Sequence, residues 1–526
     1  MNSEAEYDIL IVGYSMLGNV AALLLANLGM TVAVVEKRQL SDVLLAKLAR
    51  IDDEVMMIFE HIGIADEVSD ILFPLQGMQV IGKDNRVLLE FNHLFHSKFA
   101  PLFGFYQPDL QKILQQKALK NKNISVFAGY EVETFEQKRN KVDVFFASTG
   151  NKDFKTVSAS YLLVCNGQYS NIADYIDIEI EDFKYHSSVL CVDTYSKTDT
   201  SLHTYAQTIY DAEFPVTRIN NDSRHQRWEF QIGEEKINDS QTSELVRKLL
   251  DELSTDDLQI ESAFIYNFES RILSQWYLDR VLIAGDAAHI MPPYLGMGLA
   301  AGIKDIYNFG WKLKLIKEKV LSERILDTYQ KERAPNVRYL VRLNLWIKRL
   351  FKSSKLRWLK GVVPVIPKWL LKRSLSTENQ IRTGIIGNRS KGAGRLLLSA
   401  NIVNHKGAIV SLNSVIGNNF SLIGLNHNPV DALGPEQLEF LASLGTSFYN
   451  LSLSKQKFVN DKRFAINIYD IESDLQKYLK KHKAIYVLVR PDRIVYDFCA
   501  NADKLNKTVN ELKSKLPLNN NEKEML

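Results

Sequence analysis

Apolar residues recur along this chain in two ways. Unbroken runs at residues 7–12 (YDILIV), 160–165 (SYLLVC) and 281–284 (VLIA) read as strands buried on both faces. Alternating runs read as half-buried strands. Residues 78–91 fold back on themselves through a turn at 82–85, and 124–137 forms a hairpin with 141–148. Residues 187–194, 202–210, 215–220, 227–232 and 260–268 repeat the alternation with polar turns between them. Helices are expected over 17–28, from about 52 to 61, from just after Gln107 to 119, over 243–253 and over 299–314. The order inserts a mostly antiparallel sheet between distant pieces of an α/β unit. Such an insertion forms the second wall of a cleft.

Residues 338–373 break the pattern, with eleven Lys/Arg and no acid. Leu343, Trp346, Ile347, Leu350, Leu356, Trp358 and Leu359 are interleaved at helical spacing. An amphipathic basic helix of this kind either lies on an anionic membrane surface or bridges domains with its Trp and Leu turned to the protein. The prolines at 364 and 367 interrupt it early and favour the bridge. From about residue 392, alternating segments at 395–398 and 420–425 precede a helix at 434–444. The run strand 464–469, helix 470–482, strands 484–490 and 494–498, helix 504–516 then suggests a small thioredoxin-like domain. It has no CxxC, so a structural or dimerisation role is expected rather than a redox one.

Composition changes this picture little. With 526 residues, 46% hydrophobic and 24% charged, the chain has room for two to four domains. A net charge of +3 gives no argument for nucleic acid as a partner. Cys165, Cys191 and Cys499 are odd in number and widely spaced, which fits a reducing compartment and no zinc site. Polar MNSEAEYD leads directly into the first strand, and no apolar run reaches the ~18 residues of a spanning helix. A cytoplasmic protein is expected.

Two stretches carry chemistry. The first strand runs into Gly13-Tyr14-Ser15-Met16-Leu17-Gly18, then a helix, then a strand at 31–35 followed by Glu36, 23 residues after Gly13. This is the dinucleotide-binding βαβ start, with Ser15 where the second glycine usually stands. Gly13 makes the tight turn, Gly18 lets helix and strand touch, and Glu36 accepts from ribose hydroxyls. The second stretch, residues 280–311, ends a buried strand at Gly285-Asp286. It then passes two prolines and opens a helix through Tyr294-Leu295-Gly296-Met297-Gly298. Small residues in the first turn of that helix allow close approach. Its unpaired N–H groups and partial positive charge suit a ring that becomes anionic on reduction, as a flavin does. The acidic Asp52-Asp53-Glu54 reads as helix capping. Gln107 reads equally as a polar cap or a cofactor contact.

Together, IVGYSMLG with VVEK, IDDE, FYQPDL, RWEFQIG, RVLIAGDAAHIMPPYLGMGLAAGIKD, YQKERAPNVR and YVLVRPDRIVYDF resemble the single-component FAD monooxygenases, the flavoprotein aromatic hydroxylases. Within them the chain is most similar to the group of 3-(3-hydroxyphenyl)propionate, phenol and polyketide hydroxylases. The resemblance implies a Rossmann-like α/β FAD-binding domain (1–75, 105–180, 270–337) and a substrate-binding sheet domain (76–104, 181–269). A basic helical linker (338–391) and a thioredoxin-like domain (392–526) complete the division.

It implies that Gly13, Ser15, Met16, Leu17 and Gly18 face the FAD diphosphate, with Glu36 and Lys37 at the adenosine ribose and Lys47 and Gln107 near the cofactor. Asp286 would bind ribityl or phosphate groups, and Pro293 with Gly296, Met297, Gly298 and Leu299 would lie beside the isoalloxazine. In that family NADH or NADPH reduces FAD, oxygen adds at C4a, and the hydroperoxide hydroxylates an activated ring. Departures are Ser15, Lys47 for an arginine, and Asn166-Gly167 with Ala173 for an Asp-Gly followed by an arginine. No residue stands out as catalytic base; His203, Tyr205, Tyr210 and His225 lie on the substrate-side strands. Two other readings keep the same residues: an FAD-dependent oxidase, halogenase or epoxidase of a lipophilic substrate at a membrane, and a non-catalytic FAD-binding scaffold.

Overall fold

The structure, a computed structural model, describes residues 6–42, 50–82, 84–92, 99–150, 153–168, 178–198, 203–209, 215–233, 243–244, 247, 258–352, 380–387, 390–452 and 465–519. Tyr7–Val12 lies inside an eight-stranded sheet, parallel to Val32–Glu36 on one side and to Phe154–Val164 on the other. Ile124–Ala128 and Val281–Ile283 extend it as further parallel strands. Ile9, Leu10 and Ile11 are wholly buried, with helix Met16–Asn27 packed against their strand and helix Gly298–Lys317 packed in turn on that helix. That two-sided burial is why these strands read as unbroken apolar runs.

One expected strand divides. Gly129 takes φ +77°, so Ile124–Ala128 stays in the parallel sheet while Tyr130–Gln137 turns away to pair with Val142–Ser148. Alternation continues through the break, and only the left-handed glycine separates the two partners.

The second sheet also has eight strands, ordered His289–Ile290, Leu258–Leu273, Ile180–Ser196, His225–Gly233, Val216–Asn220, Tyr205–Ile209, Gly77–Ile81 and Val87–Asn92. It is antiparallel except where Tyr205–Ile209 runs parallel to Gly77–Ile81. His289–Ile290 belongs to the cofactor-side segment by sequence yet hydrogen-bonds into this sheet. A small third sheet of Arg50–Asp52, Leu102–Phe105 and Leu72–Leu75 was not expected. Most of the expected helix at 243–253 lies outside the described residues.

The basic segment begins inside helix Asp327–Lys352, which contains Pro335. Leu340, Val341 and Ile347 are buried against the protein, whereas Trp346 is exposed. Residues 353–379 lie outside the described set.

The C-terminal sheet is ordered Ile409–Ser411, Asn401–Val403, Ile466–Asp470, Ser447–Ser452, Ser421–Leu425, Tyr486–Val489 and Val495–Cys499. Three of these, at 401–403, 409–411 and 447–452, carry too short or too polar a pattern to be read as strands. The run at 395–398 makes only a single bridge, Leu396 to Ile494. This unit is fixed to the rest by a buried ionic cluster. Arg490 donates to both oxygens of Glu332 at 3.0 and 2.9 Å and to both of Asp492 at 2.9 and 2.6 Å. Lys312, Asn308 and the Ile385 N–H also donate to Glu332.

Candidate active site

The carboxyl ends of three parallel strands, at Gly13, Cys165 and Gly285, come side by side, where open α/β sheets hold their ligands. Gly13 takes φ +101°, and a Cβ there would lie 2.9 Å from the Asn166 Cα. At Gly18 a Cβ would overlap the Gly13 carbonyl oxygen. The turn is therefore closed to side chains and open only to a ligand on its outer side. Ser15 is the N-cap of helix Met16–Asn27, yet its hydroxyl makes no capping bond to that helix. Glu36 accepts from the Tyr14 N–H at 2.8 Å and from Arg38 Nε at 2.8 Å. Burial works to raise its pKa, but Arg38 and the backbone donors outweigh it and hold the carboxyl below its usual range. Lys37 stays on the surface, 3.7 Å from Glu131.

The second stretch packs directly on the first. The Leu17 side chain occupies the space beside Gly285 and Gly302, and a Cβ on Gly302 would sit 3.0 Å from the Gly285 Cα. Small residues at these positions thus bring the N-termini of the two helices together. Each helix start leaves first-turn N–H groups without helical partners. Asp286 lies on the tight turn after Val281–Ile283, half-exposed, with the Cα side of Gly298 facing its carboxylate. Gly296 takes φ +62° after the turn Pro293–Leu295. This pair of helix starts, approached past Gly13, Gly18, Gly296 and Gly298 and with an acid on either flank, leaves room for a dinucleotide.

Buried polar groups set this loop in place. Asp305 accepts from His289 Nε2 at 2.6 Å, Arg333 Nε at 2.9 Å and the Gly285 N–H at 3.3 Å. Burial alone would raise the pKa of Asp305, but His289 and Arg333 hold it low. Lys304 pairs with Asp52 at 2.6 Å and Glu54 at 2.7 Å. Asp52 also caps its helix by accepting from the Val55 N–H, so the acidic triplet both caps and anchors Lys304. The fully buried Asn344 accepts from the Leu295 N–H at 3.0 Å. Asn344→Ala leaves that donor unsatisfied and is expected to cost ~1–3 kcal/mol. A lowered melting temperature with reduced flavin content checks this.

Between the loop and the second sheet lies a cleft of about 760 Å³ of empty space, its open mouth included. Asp286, Ile290–Pro293 and Gly296–Leu299 line one side, and Val189, Cys191, Glu229, Tyr266 and Phe268 the other, with Arg50 between. The sequence reading found the first wall and missed the second, together with Arg50. One signal was available: 189, 191, 229, 266 and 268 lie on strands in a common period-2 register.

None of His203, Tyr205 and His225 lines this cleft. His225 lies at the far end of its strand, stacked on Tyr106 at 4.2 Å and 2.6 Å from Asp222. Burial lowers its pKa, but Asp222 and Glu261 outweigh this and raise it. The pKa of His203 is depressed by burial and by Arg218. Gln107 is the buried first residue of helix Gln107–Leu119, inside the helix rather than before it. Lys47, Ala173 and Tyr210 lie outside the described residues. Among the described residues, no helix is long and apolar enough to cross a membrane.

Comparison with known proteins agrees with this geometry. The chain is 25% identical to 3-(3-hydroxy-phenyl)propionate/3-hydroxycinnamic acid hydroxylase of Escherichia coli (strain K12 / DH10B), over 97% of this chain and 95% of the relative. Its fold is similar to that of the flavin-dependent monooxygenase PieE in complex with FAD and substrate, with TM-score 0.77 and 17% identity over 97% of this chain and 100% of PieE. Aklavinone-11 hydroxylase, solved with FAD and aklavinone, superposes with TM-score 0.74 and 19% identity over 97% and 99% of the two chains. Residues 394–515 match the HcaD C-terminal domain. Residues 6–344 match the FAD binding domain family, and the chain belongs to that family.

Proposed function

We propose that this chain is an FAD-dependent monooxygenase that hydroxylates an aromatic or phenolic small molecule, with NADH or NADPH as reductant. The observation that carries this reading is the cleft itself. One wall is the 290–299 loop at a dinucleotide-binding fold, and the other is an inserted sheet presenting Tyr266 and Phe268. FAD, when bound, supplies the two-electron chemistry that activates dioxygen. One oxygen atom replaces a ring hydrogen as hydroxyl, the other leaves as water, and the nicotinamide provides the electron pair. The protein's share is binding, orientation and exclusion of water. Gly13, Ser15 and Gly18 admit the diphosphate, Glu36 the ribose, and Asp286 with Gly296–Leu299 the flavin end. Tyr266 and Phe268 flank a flat substrate, while Val189, Ile290 and Met291 keep the cleft apolar. The names of the relatives, which act on hydroxyphenylpropionate or bind aklavinone, support an aromatic substrate.

The test is oxidation of each nicotinamide by FAD-loaded protein in the presence of a panel of phenols. The expected result is phenol-stimulated consumption with one oxygen atom added to the ring. Absence of stimulation by every phenol, together with no anaerobic bleaching of the flavin, overturns the reading.

Three finer assignments belong to this proposal. Sheet membership supports the division into cofactor, substrate and C-terminal units. The order of strands 447–452, 421–425, 486–489 and 495–499, with the first two parallel and the last two forming a hairpin, supports a thioredoxin-like C-terminal unit and its role as a structural or dimerisation module. The inward-facing Leu340, Val341 and Ile347 support a bridging role for the basic helix over a membrane one, in keeping with a cytoplasmic enzyme. Sedimentation with anionic vesicles tests the last point, and no binding is expected.

A further inference from the structure

The proposed reaction leaves open which groups of the cleft recognise the substrate, and one pair there is unusual. Arg50 is 4% exposed, and its guanidinium lies against Gly296 on the cofactor-side loop. Among the described residues its polar side-chain neighbours are the Met78 sulfur at 3.6 Å and Glu229 at 4.0 Å. A few residues away Arg227 is held by Asp193 in a forked pair at 2.8 and 2.7 Å, with Ser262 as a further donor to that acid. One guanidinium–carboxylate pair here, within the inserted sheet, is therefore closed, and the other, between that sheet and the small sheet of Arg50–Asp52, is open. The open pair faces the cleft.

The spacing of the open pair defines what fits. At 4.0 Å, Arg50 Nη2 and Glu229 Oε2 are beyond direct hydrogen-bonding range. An oxygen placed about 2.8 Å from each would subtend an angle of about 90° between them, close enough to tetrahedral for a hydroxyl that donates one way and accepts the other. A substrate carboxylate at this point would set a second anion against Glu229. A neutral hydroxyl meets one donor and one acceptor.

We propose that Arg50 and Glu229 together form the hydroxyl site of this cleft, with Glu229 accepting the O–H of a phenolic substrate and Arg50 donating to its oxygen. The inference rests on the proposed monooxygenase function and adds to it the two residues that recognise the substrate hydroxyl and the identity of the catalytic base. The proton passes from the phenol oxygen to the Glu229 carboxylate, and the electron pair of the broken O–H bond stays on the oxygen beside Arg50. This raises electron density at the neighbouring ring carbon, where hydroxylation then occurs. As the ring regains aromaticity, that carbon releases its hydrogen to solvent as a proton, and Glu229 returns its proton to the phenol oxygen. The charged groups around the pair are Arg227 and Asp193 on the sheet and Asp286 on the loop, and the Cys191 thiol is raised by burial and stays neutral.

The test uses the full-length FAD-loaded protein and reads ligand binding from the flavin absorbance, without turnover. Two matched pairs serve as probes: 4-nitrophenol with 4-nitroanisole, and 3-hydroxyphenylpropionate with 3-methoxyphenylpropionate. In the unaltered protein at least one phenol is expected to bind ~10-fold or more tighter than its methyl ether, the scale of a charge-assisted hydrogen bond. Glu229→Gln and Arg50→Met are each expected to reduce that ratio to within ~3-fold. Arg50→Met should also abolish the phenolate band of bound 4-nitrophenol. Equal binding of phenol and ether in both pairs, or an unchanged ratio in Glu229→Gln, overturns the proposal. Should Arg50→Met fail to retain flavin, Glu229→Gln decides alone. Discrimination without any hydroxylation would count against the monooxygenase reading and leave this site standing.

Discussion

Gly18→Ala is expected to give a protein that does not retain FAD. The added methyl would overlap the carbonyl oxygen of Gly13, a backbone atom that cannot rotate away. Relief requires either the helix Met16–Asn27 to lift from the strand or the Gly13 turn to open. Gly13 has no room to move, because its own Cα side faces the Asn166 backbone within about van der Waals contact. The cost is on the order of 3 kcal/mol or more, the upper range for overpacking a close-packed site. It falls on the place where the diphosphate would meet the first-turn N–H groups. The expected observation is a colourless protein after purification with a lowered melting temperature. A yellow Gly18→Ala protein with an unchanged flavin-to-protein ratio would show that this turn does not hold the cofactor. Ser15→Gly is the matched control, since it restores the usual glycine and relieves no contact; flavin retention should be equal or better.

The second large effect concerns the ionic cluster that joins the C-terminal unit to the FAD-binding domain. Glu332, Arg490 and Lys312 are all fully buried, and Glu332 accepts from both cations. Burial would raise the pKa of Glu332, but Arg490 and Lys312 overcome this and lower it to about 2. Lys312 moves down as well, to about 8, because burial outweighs the attraction of Glu332 and Arg490 repels its charge. Glu332→Gln keeps the shape and removes the anion, leaving Lys312 without a counter-charge and Arg490 with Asp492 alone. Breaking a buried pair in this way costs ~3–5 kcal/mol, more than the pair itself contributes relative to an apolar core. The double variant Glu332→Gln/Lys312→Met should recover part of the loss. Urea unfolding of the three proteins checks both statements; a Glu332→Gln midpoint equal to that of the unaltered protein would contradict them.

The pH dependence has a definite sign. Since the folded-state pKa of Glu332 lies below its unfolded value, its contribution is complete above about pH 4.5 and disappears as pH falls towards 2. The C-terminal unit is therefore expected to loosen from the FAD-binding domain on acidification through that window, and Glu332→Gln should remove that part of the acid sensitivity.

Local pattern carried much of this fold. The runs at 7–12, 160–165 and 281–284 are nearly unbroken apolar stretches because both faces of the sheet are buried, so they announced a parallel core directly. The turn at Gly13–Gly18 and the place of Glu36 beside it were legible because both depend on the backbone of one βαβ unit, 23 residues from Gly13 to Glu36. Gly285 through Leu299 were legible for the same reason. The second wall of the cleft was not. Alternation in 187–194 and 227–232 divides each strand into two sets, one with Leu190, Val192 and Trp228, the other with Val189, Cys191, Arg227 and Glu229. Period 2 says that the sets face opposite ways, but it does not say which one meets the cofactor-side loop.

Arg50 shows the limit most clearly. By sequence it is a basic residue next to IDDE with no pattern to mark it, 179 positions from Glu229 and 246 from Gly296. Only the closure of the small sheet Arg50–Asp52, Leu102–Phe105 and Leu72–Leu75 against the larger ones turns its side chain inward. The acids at 52 and 54 were read correctly as a helix start, yet their partner Lys304 lies about 250 residues away on another helix. The sequence by itself determined the strands of the parallel core, the tight turn at Gly13–Gly18 and the family resemblance, because each depends on neighbours along the chain. Tertiary structure alone decided which charges are buried together and which face of the inserted sheet lines the cleft, because those depend on long-range packing that no local period encodes.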